Sequence, residues 1–436
     1  MQPNSKRKEY QTVKKIWSLF MTVFFCCNQV IAQLPMTDPN EYQPALFSKD
    51  TKTENRQRLY KSLVNGINKN LSLPLADSTE ENWMDAFYSM ELLRYKSPWA
   101  EARIHEAFKG IENRSGLFQR SLMELLYDDY PGGLEREIIF LFDTTIDIKC
   151  FAAGAEYLLK SGNKYEGLVL KKLSQRLLYN PESPVLKAML LLLPDSKRNM
   201  PPFNDLLHHS FFSNAKLVFS FQRKNRNYPG LVIVRDSTGN FIKDKYGNIF
   251  SVPQLARSIS KLPGYLSNGN TPQGIFRMHG IDVSKSIFIG PTPNIQLTMP
   301  YETSIRHFMN DSTIADSVWT MEWYRELLPQ SWKTYTPIYE SFFAGRAGRT
   351  EIIAHGTTVD PSYYKGTTYY PLTPTLGCLC TKEIWSEANG MRMQSDQQKL
   401  IDALKKAGGA DGYYIVMELN DEQRPVELND VLPFLK

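Results

Sequence analysis

The chain has 436 residues, of which 12% are aromatic and 22% are charged. This composition excludes a disordered chain, and the length is sufficient for two or more domains with cores of their own. Of the formal net charge of +5, residues 1–32 carry +4, so the rest of the chain is close to neutral. Its charge therefore gives no reason to expect nucleic acid as a partner.

Residues 1–32 have the pattern of a secretory signal peptide. Basic residues between Lys6 and Lys15 precede a short apolar segment at 16–27, and 30–32 offers a small-residue cleavage site. The apolar segment is too short to favour a membrane-spanning helix, with an uncleaved anchor as the alternative. We therefore expect an exported protein of the periplasm or cell envelope. It would meet the membrane only transiently, through the signal peptide.

Three cysteines lie beyond the predicted signal peptide: Cys150, Cys378 and Cys380. So few cysteines do not form a disulfide framework. An odd number in an oxidising compartment leaves at least one thiol free or paired between chains. A free thiol in an exported protein is more often functional than accidental, whereas Cys150 precedes an apolar helix and is expected to be buried and structural.

Residues 33–55 are predicted to form an extended lead-in, and residues 56–195 a helical region with an internal repeat. Leucine-rich motifs begin at Glu91, Glu124, Tyr157 and Leu190, so they recur every 33 residues. Breaker residues and a second apolar helix lie between successive motifs. Two helices per fixed period predict a HEAT-like α-solenoid, with an irregular helical bundle as the alternative. Such a region would offer a surface to another envelope protein.

Residues 196–214 are predicted to be a linker, after which the chain becomes rich in strands. Short β-branched and aromatic runs between turn residues indicate the strands. We expect them at 217–221, 231–234, 274–278, 286–289, 351–354 and 413–418, with helices near 320–328 and 397–407. The predicted fold class is multidomain α + β, in which the helical repeat precedes a β-rich domain at 215–436.

A thiol and an imidazole in the β-rich part form a candidate catalytic pair. His355 ends an apolar run, and Cys378 directly follows Gly377. The thiolate is the reactive form of cysteine, so a nucleophilic cysteine needs a base or a cation beside it. A glycine at 377 allows close approach of the backbone, and the amides around Cys378 are candidate donors to an oxyanion.

Three segments of the β-rich part match the motifs of a known family. Residues 270–276 read Asn-Thr-Pro-Gln-Gly-Ile-Phe, residues 352–357 read Ile-Ile-Ala-His-Gly-Thr, and residues 375–379 read Thr-Leu-Gly-Cys-Leu. In this order they resemble the motifs of the L,D-transpeptidase catalytic domain, the YkuD family. The resemblance extends over about half of the chain, 215–436, and leaves the helical region outside.

The resemblance implies a reaction and a set of site residues. Cys378 would be the nucleophile, His355 its general base, and the amide of Gly377 a donor to the oxyanion. The protein would attack peptidoglycan stem peptides beside their third residue, form a thioester and transfer the acyl group to an amine of a second stem. No metal and no organic cofactor is required. The candidate substrate-binding residues are Gly356, Thr375, His279, Tyr370 and Arg349.

Each of three substrate-binding candidates has an alternative interpretation. Arg349 offers a guanidinium to a substrate carboxylate, or lies in a solvated loop. His279 lines the cleft, or is a surface residue in a turn. Tyr370 belongs to the stretch between base and nucleophile, where the family has a substrate-covering loop, and packing alone is the other explanation.

The motifs depart from the family pattern at two positions beside the nucleophile. Leu376 stands where the family usually has a second histidine, and Cys380 stands where it has arginine or asparagine. Cys380 is interpreted as a small side chain of the pocket wall, a redox partner of Cys378 or a zinc ligand. These departures leave two alternatives to a transpeptidase open: an inactive wall-binding scaffold with the same fold, and an L,D-carboxypeptidase that releases the terminal residue to water.

Overall fold

The structure, a computed structural model, describes residues 45–192, 199–315 and 318–435. The predicted signal peptide and residues 33–44 of the predicted lead-in lie outside these ranges. Helices occupy the N-terminal part and strands predominate in the C-terminal part, so the protein is of mixed α and β structure. Within the described ranges, no helix combines the length and the apolar character needed to cross a membrane.

Eight α-helices between residues 53 and 192 make up the helical region of the described chain. They are α1 Thr53–Leu71, α2 Glu80–Leu93, α3 Pro98–Ala107, α4 Gly116–Asp129, α5 Glu135–Thr144, α6 Ile148–Ser161, α7 Glu166–Tyr179 and α8 Pro184–Leu192. Side-chain caps explain several starts, because Ser97, Ser115 and Asp147 accept amide hydrogen bonds from the first turns of α3, α4 and α6.

Alternate helices of this region stack on one another. Helix α2 packs on α4, α4 on α6 and α6 on α8. Aromatic rings fill the layers between neighbours: Phe87 and Phe118 lie 5.6 Å apart, and Phe142 and Phe151 are stacked at 4.4 Å. Cys150 is buried in this core, as expected of a structural thiol.

Ten strands follow, and eight of them close into a barrel. Their bounds are β1 Lys216–Gln222, β2 Gly230–Arg235, β3 Ser251–Leu255, β4 Gly274–Asp282, β5 Asn294–Thr298, β6 Ile353–His355, β7 Leu379–Thr381, β8 Glu383–Trp385, β9 Arg392–Ser395 and β10 Asp411–Glu418. The barrel order is β1-β10-β4-β5-β6-β7-β3-β2, while β8 and β9 form a separate pair. The β1–β10 and β6–β7 pairs are parallel and the other barrel pairs antiparallel.

Six further helices lie among the strands of the described chain. They are α9 Phe203–Leu207, α10 Ile305–Met309, α11 Met321–Glu326, α12 Glu340–Arg346, α13 Asp396–Lys406 and α14 Leu428–Val431. Helix α9 falls within the stretch that we expected to be a linker. The expected helices near 320–328 and 397–407 correspond to α11 and α13.

Alternate residues of the barrel strands enter two different cores. Phe219 and Ile415 join the core that also contains the helical region, whereas Val218 and Tyr414 join a core built from barrel strands and α13. Both faces of β1 are therefore covered, which explains its continuous apolar sequence. The helical region and the barrel belong to one compact unit.

The expected strand at 286–289 is wrong, because this segment forms a turn. The amide of Ile289 donates to the carbonyl of Ser286 at 3.3 Å. The Ser284 hydroxyl accepts the amide of Ser286, and the Ser286 hydroxyl accepts that of Phe288. Serine hydroxyls that bind nearby amides compete with strand pairing, so the apolar residues here were a misleading signal.

Candidate active site

The two predicted catalytic residues lie on neighbouring parallel strands. His355 ends β6, and Cys378 directly precedes β7. His355 lies opposite Cys380, and Ala354 lies opposite Leu379. Because side chains alternate between the faces of a sheet, those of His355 and Cys380 share one face, and Cys378 lies two residues before Cys380, just outside the strand. This offset of two positions between Cys378 and the residue opposite His355 is about 7 Å along the strand direction.

The thiol of Cys378 interacts with the beginning of the preceding strand. It is partly exposed and donates to the carbonyl of Glu351 at 3.5 Å. Glu351 has a left-handed backbone with φ of 63°, which is uncommon for a residue with a side chain. Burial raises the pKa of the Cys378 thiol to about 11, although the amide of Ile353 and the charge of Arg349 act against this rise. At neutral pH the residue is therefore a protonated thiol.

His355 is held in one tautomer by the next residue of the chain. Its Nδ1 lies 2.5 Å from the carbonyl oxygen of Gly356. A carbonyl only accepts, so Nδ1 carries the hydrogen and Nε2 keeps its lone pair. Burial lowers the pKa of His355 to about 4, so the ring is neutral at neutral pH. Among the described residues the ring of His355 forms no hydrogen bond with the thiol of Cys378.

Arg349 is buried beside Cys378 rather than exposed in a solvated loop. Only 5% of its surface is accessible. Its guanidinium donates to four backbone carbonyls of one loop, those of Gly264, Leu266, Gly269 and Asn270. These donors are thus used within the protein, and the charge lies close enough to Cys378 to oppose the rise in the pKa of its thiol.

Gly377 and Thr375 form a tight turn before Cys378, which we call the Cys378 turn. Gly377 has φ of 119°, and a Cβ there would lie 1.9 Å from Nη2 of Arg349, so only glycine fits. The amide of Gly377 donates to Oγ1 of Thr375 at 2.9 Å, and that hydroxyl donates to the carbonyl of Cys378 at 2.9 Å. The amide predicted to bind the oxyanion is therefore already paired, and Thr375 stabilises the turn.

The Thr-Pro segment at 271–272 also reaches this turn. Oγ1 of Thr271 donates to the carbonyl of Gly377 at 2.9 Å. Thr271 is fully buried, and it follows directly after the carbonyl groups that hold Arg349. Two of the three sequence motifs thus meet at the Cys378 turn.

Cys380 lies opposite His355 and is fully buried. Its thiol interacts with the carbonyl of Thr381 at 3.6 Å and with Oγ1 of Thr373 at 3.8 Å. Burial raises the pKa of this thiol to about 12. The described residues contain no group of three or more histidine, cysteine or carboxylate side chains arranged to hold a metal ion. These contacts fit the interpretation of Cys380 as a small, buried side chain beside His355.

His279 lies on a different part of the barrel. It is on β4, which is separated from β6 by β5. Two strand spacings, about 10 Å, therefore lie between its strand and that of His355. Its ring is exposed and faces that of His307, with the ring centres 6.4 Å apart. The structure does not bring His279 to the candidate pair.

Residues 357–376, which we call the covering segment, lie between His355 and Cys378. Tyr370 is 45% exposed within this segment. Its neighbour Tyr369 is buried, with the guanidinium of Arg257 4.8 Å from the centre of its ring. Of the two neighbouring tyrosines, only Tyr370 is therefore accessible to a ligand.

The helical region holds the covering segment in place, which the sequence motifs did not predict. The hydroxyl of Tyr364 donates to the carbonyl of Leu92 in α2 at 3.0 Å. Arg94 reaches the hydroxyl of Tyr369 at 3.5 Å and pairs with Asp128 of α4 at 3.1 Å. The contacts of Tyr364 and Tyr369 join residues that lie more than 200 positions apart, so no local pattern would have indicated them.

Glu383 is a second residue that sequence reasoning missed. It begins β8, and its side chain is inaccessible to solvent. One carboxylate oxygen accepts the amide of Thr357 at 3.0 Å. A Cβ on Gly356 would lie 2.2 Å from the carboxylate carbon, so the residue after His355 packs directly on Glu383. An isolated glutamate in a short strand carries no signal of this role in the sequence.

Comparison with models of known protein families, with curated proteins and with solved structures finds no match for this chain.

Proposed function

We propose that the protein is an exported cysteine transpeptidase that acts on peptidoglycan stem peptides. The observation that carries this proposal is the state of His355. Its Nδ1 is bound to the carbonyl of Gly356, so Nε2 is the basic nitrogen, and His355 ends the strand that pairs with the strand directly after Cys378. A neutral imidazole with one defined basic nitrogen is the form that a general base requires.

The proposed reaction has two acyl-transfer steps. Nε2 of His355 accepts the proton of Cys378 while the sulfur attacks the carbonyl beside the third residue of a stem peptide. The amide of Cys378 is our candidate donor to the oxyanion, because that of Gly377 is paired with Thr375. The imidazolium then protonates the leaving amine of the terminal residue. An amine of a second stem attacks the thioester, a new amide forms, and the thiol is regenerated.

The pKa values favour proton transfer during attack over a standing ion pair. The thiol of Cys378 has a pKa of about 11 and the imidazole of His355 one of about 4. Separating the charges before substrate binds would cost on the order of 10 kcal/mol at 1.36 kcal/mol per pKa unit. We therefore propose that the thiolate forms only as the sulfur bonds to the carbonyl.

We also propose a specific fold type for each of the two parts of the chain. Stacking of α2, α4, α6 and α8 supports a HEAT-like solenoid, and the ordered motifs around Cys378 support an L,D-transpeptidase-like barrel. We further propose a location in the periplasm or cell envelope, with the helical region available to another envelope protein.

The test is mass spectrometry of the full chain after incubation with a carbapenem, a reagent that acylates a nucleophilic cysteine. We expect one covalent adduct on the wild type and on Cys380→Ala, and none on Cys378→Ala. Absence of an adduct on the wild type would overturn the catalytic proposal. An equal adduct on Cys378→Ala would show that another group reacts.

A catalytically inactive scaffold is the second candidate. It is favoured by the raised pKa of Cys378 and by the absence, among described residues, of a hydrogen bond between its thiol and His355. A stem tetrapeptide separates the remaining possibilities. Cross-linked product indicates a transpeptidase, release of the terminal residue without a cross-link indicates an L,D-carboxypeptidase, and unchanged peptide supports the scaffold.

A further inference from the structure

The carboxylate of Glu383 lies in a buried network of hydrogen-bond donors. One oxygen accepts the hydroxyls of Thr292 at 2.6 Å and Ser395 at 2.5 Å, and the other accepts the amide of Thr357 at 3.0 Å. Nη1 of Arg392 lies 3.9 Å from the first oxygen. A carboxylate without solvent access is retained where specific donors surround it, so this network fixes the position of Glu383.

The network continues through the backbone to the proposed base. Glu383 binds the amide of Thr357, which belongs to the same peptide unit as the carbonyl of Gly356. That carbonyl is the group that accepts Nδ1–H of His355. Within one rigid peptide plane, holding the amide also fixes the direction of the carbonyl. The carbonyl of Thr357, in the next peptide unit, accepts a hydrogen bond from Nε1 of Trp385 at 2.8 Å.

We propose that Glu383 is a positioning residue for His355: it orients the Gly356–Thr357 peptide, whose carbonyl keeps the imidazole in the Nδ1–H form with a basic Nε2. The consequence of this positioning for catalysis rests on the proposed function. The effect on the tautomer of His355 can be measured without any enzymatic turnover. Gly356 belongs to the same arrangement, because any side chain there would collide with the carboxylate.

The donor pattern predicts which substitutions preserve the arrangement. In Glu383→Gln the amide oxygen can face Thr357, while the NH2 group faces the hydroxyls of Thr292 and Ser395. Hydroxyls accept as well as donate, so this orientation keeps the bond to Thr357. Glu383→Ala removes the acceptor and leaves the amide of Thr357 buried without its partner. Burial raises the pKa of Glu383 to about 7, which agrees with a carboxyl group that tolerates a proton on the hydroxyl side.

The experiment is nitrogen NMR of full-length protein labelled at histidine, with the His355 signals assigned by their loss in His355→Gln. We expect a single Nδ1–H tautomer in the wild type and in Glu383→Gln. Glu383→Ala should show a mixture of tautomers. Glu156→Gln is the matched control, since Glu156 also has a pKa raised to about 7 by burial but lies in α6 of the helical region; its tautomer signals should equal those of the wild type.

An unchanged tautomer in a folded Glu383→Ala protein would overturn the proposal. If that variant does not fold, Thr292→Val with Ser395→Ala decides, because these changes remove the two hydroxyl donors that fix the carboxylate and keep Glu383 itself. We expect it to give mixed tautomers, and a wild-type spectrum would contradict the proposal.

Carbapenem acylation should separately fall on the order of 10- to 100-fold in Glu383→Ala, and much less in Glu383→Gln. Lack of acylation in the wild type would overturn the proposed function alone. The tautomer measurement would then still decide the role of Glu383.

Discussion

Arg349 carries its charge into the interior beside the proposed nucleophile. The loop at 264–270 surrounds its guanidinium with four carbonyl groups, all of which accept hydrogen bonds from it. Burying a guanidinium is favourable only where hydrogen bonds replace water. The residue therefore connects two properties that are usually separate, the stability of the loop and the acidity of the Cys378 thiol.

Replacing Arg349 with methionine should weaken both properties. The carbonyl groups lose their donor, so we expect the free energy of unfolding to fall by about 2–4 kcal/mol. The pKa of the Cys378 thiol should rise further, because its nearest cation is removed, and alkylation by iodoacetamide at pH 8 should slow by severalfold. Urea unfolding and mass spectrometry of the labelled thiol measure the two effects.

Arg346→Met is the control for this prediction. Arg346 is a partly exposed arginine of the same segment, and it pairs with Glu182 at 3.0 Å on the surface. Surface pairs contribute about 0–1 kcal/mol, so neither stability nor the alkylation rate should change much. Equal losses in both variants would show that the effect of Arg349 is general to the segment.

At the scale of elements, the sequence was informative where a signal is local. The strands at 217–221 and 231–234 are found as β1 and β2, since a β-branched run between turns depends on neighbours in the chain. The closure of the barrel was not predictable, because β1 pairs with β10 almost 200 residues later. His355 and Cys378 could be proposed as site residues because their motifs are local. Glu383 could not, because its contact with Thr357 is formed only in the tertiary structure.

The covering segment should depend on the helical region for its order. Tyr364→Phe removes only the hydroxyl that binds the carbonyl of Leu92. We expect a loss of about 1 kcal/mol in stability, together with faster proteolysis within the segment. Limited proteolysis followed by mass spectrometry locates the cleavage sites.

Tyr370→Phe provides the comparison for this element. It removes a hydroxyl from the same segment, but from a side chain that is 45% exposed. Stability and proteolysis should then stay as in the wild type. Cleavage that increases equally in both variants would mean that the contact with α2 does not order the segment.

At the scale of the whole molecule, buried carboxyl groups connect folding to pH. Burial raises the pKa to about 7 for four glutamates: Glu124, Glu156, Glu340 and Glu383. The folded state binds protons more tightly than the unfolded state, whose glutamates titrate near 4.5. The stabilisation from these groups is complete below pH 4.5 and is lost as the pH rises through 7.

A substitution of Glu156 measures the contribution of one glutamate to this pH dependence of stability. Its carboxylate accepts the hydroxyl of Tyr265 at 2.6 Å, an interaction that a glutamine oxygen can also accept. Between pH 5 and 7.5, the wild type should lose about 2 kcal/mol of stability through this group alone. Glu156→Gln has no proton to lose, so its free energy of unfolding should fall by that much less over the same interval. Urea unfolding at several pH values gives both slopes.

Glu182→Gln tests whether the effect comes from burial. Hydrogen bonds from Lys187 and Arg346 lower the pKa of Glu182, and its side chain lies at the surface. A lowered pKa acts in the opposite direction and below pH 4.5, so this variant should keep the wild-type slope between pH 5 and 7.5. If Glu156→Gln also kept that slope, the carboxyl group of Glu156 would be hydrated in solution. The contact between α6 and the loop at 264–270 would then be looser than the structure shows.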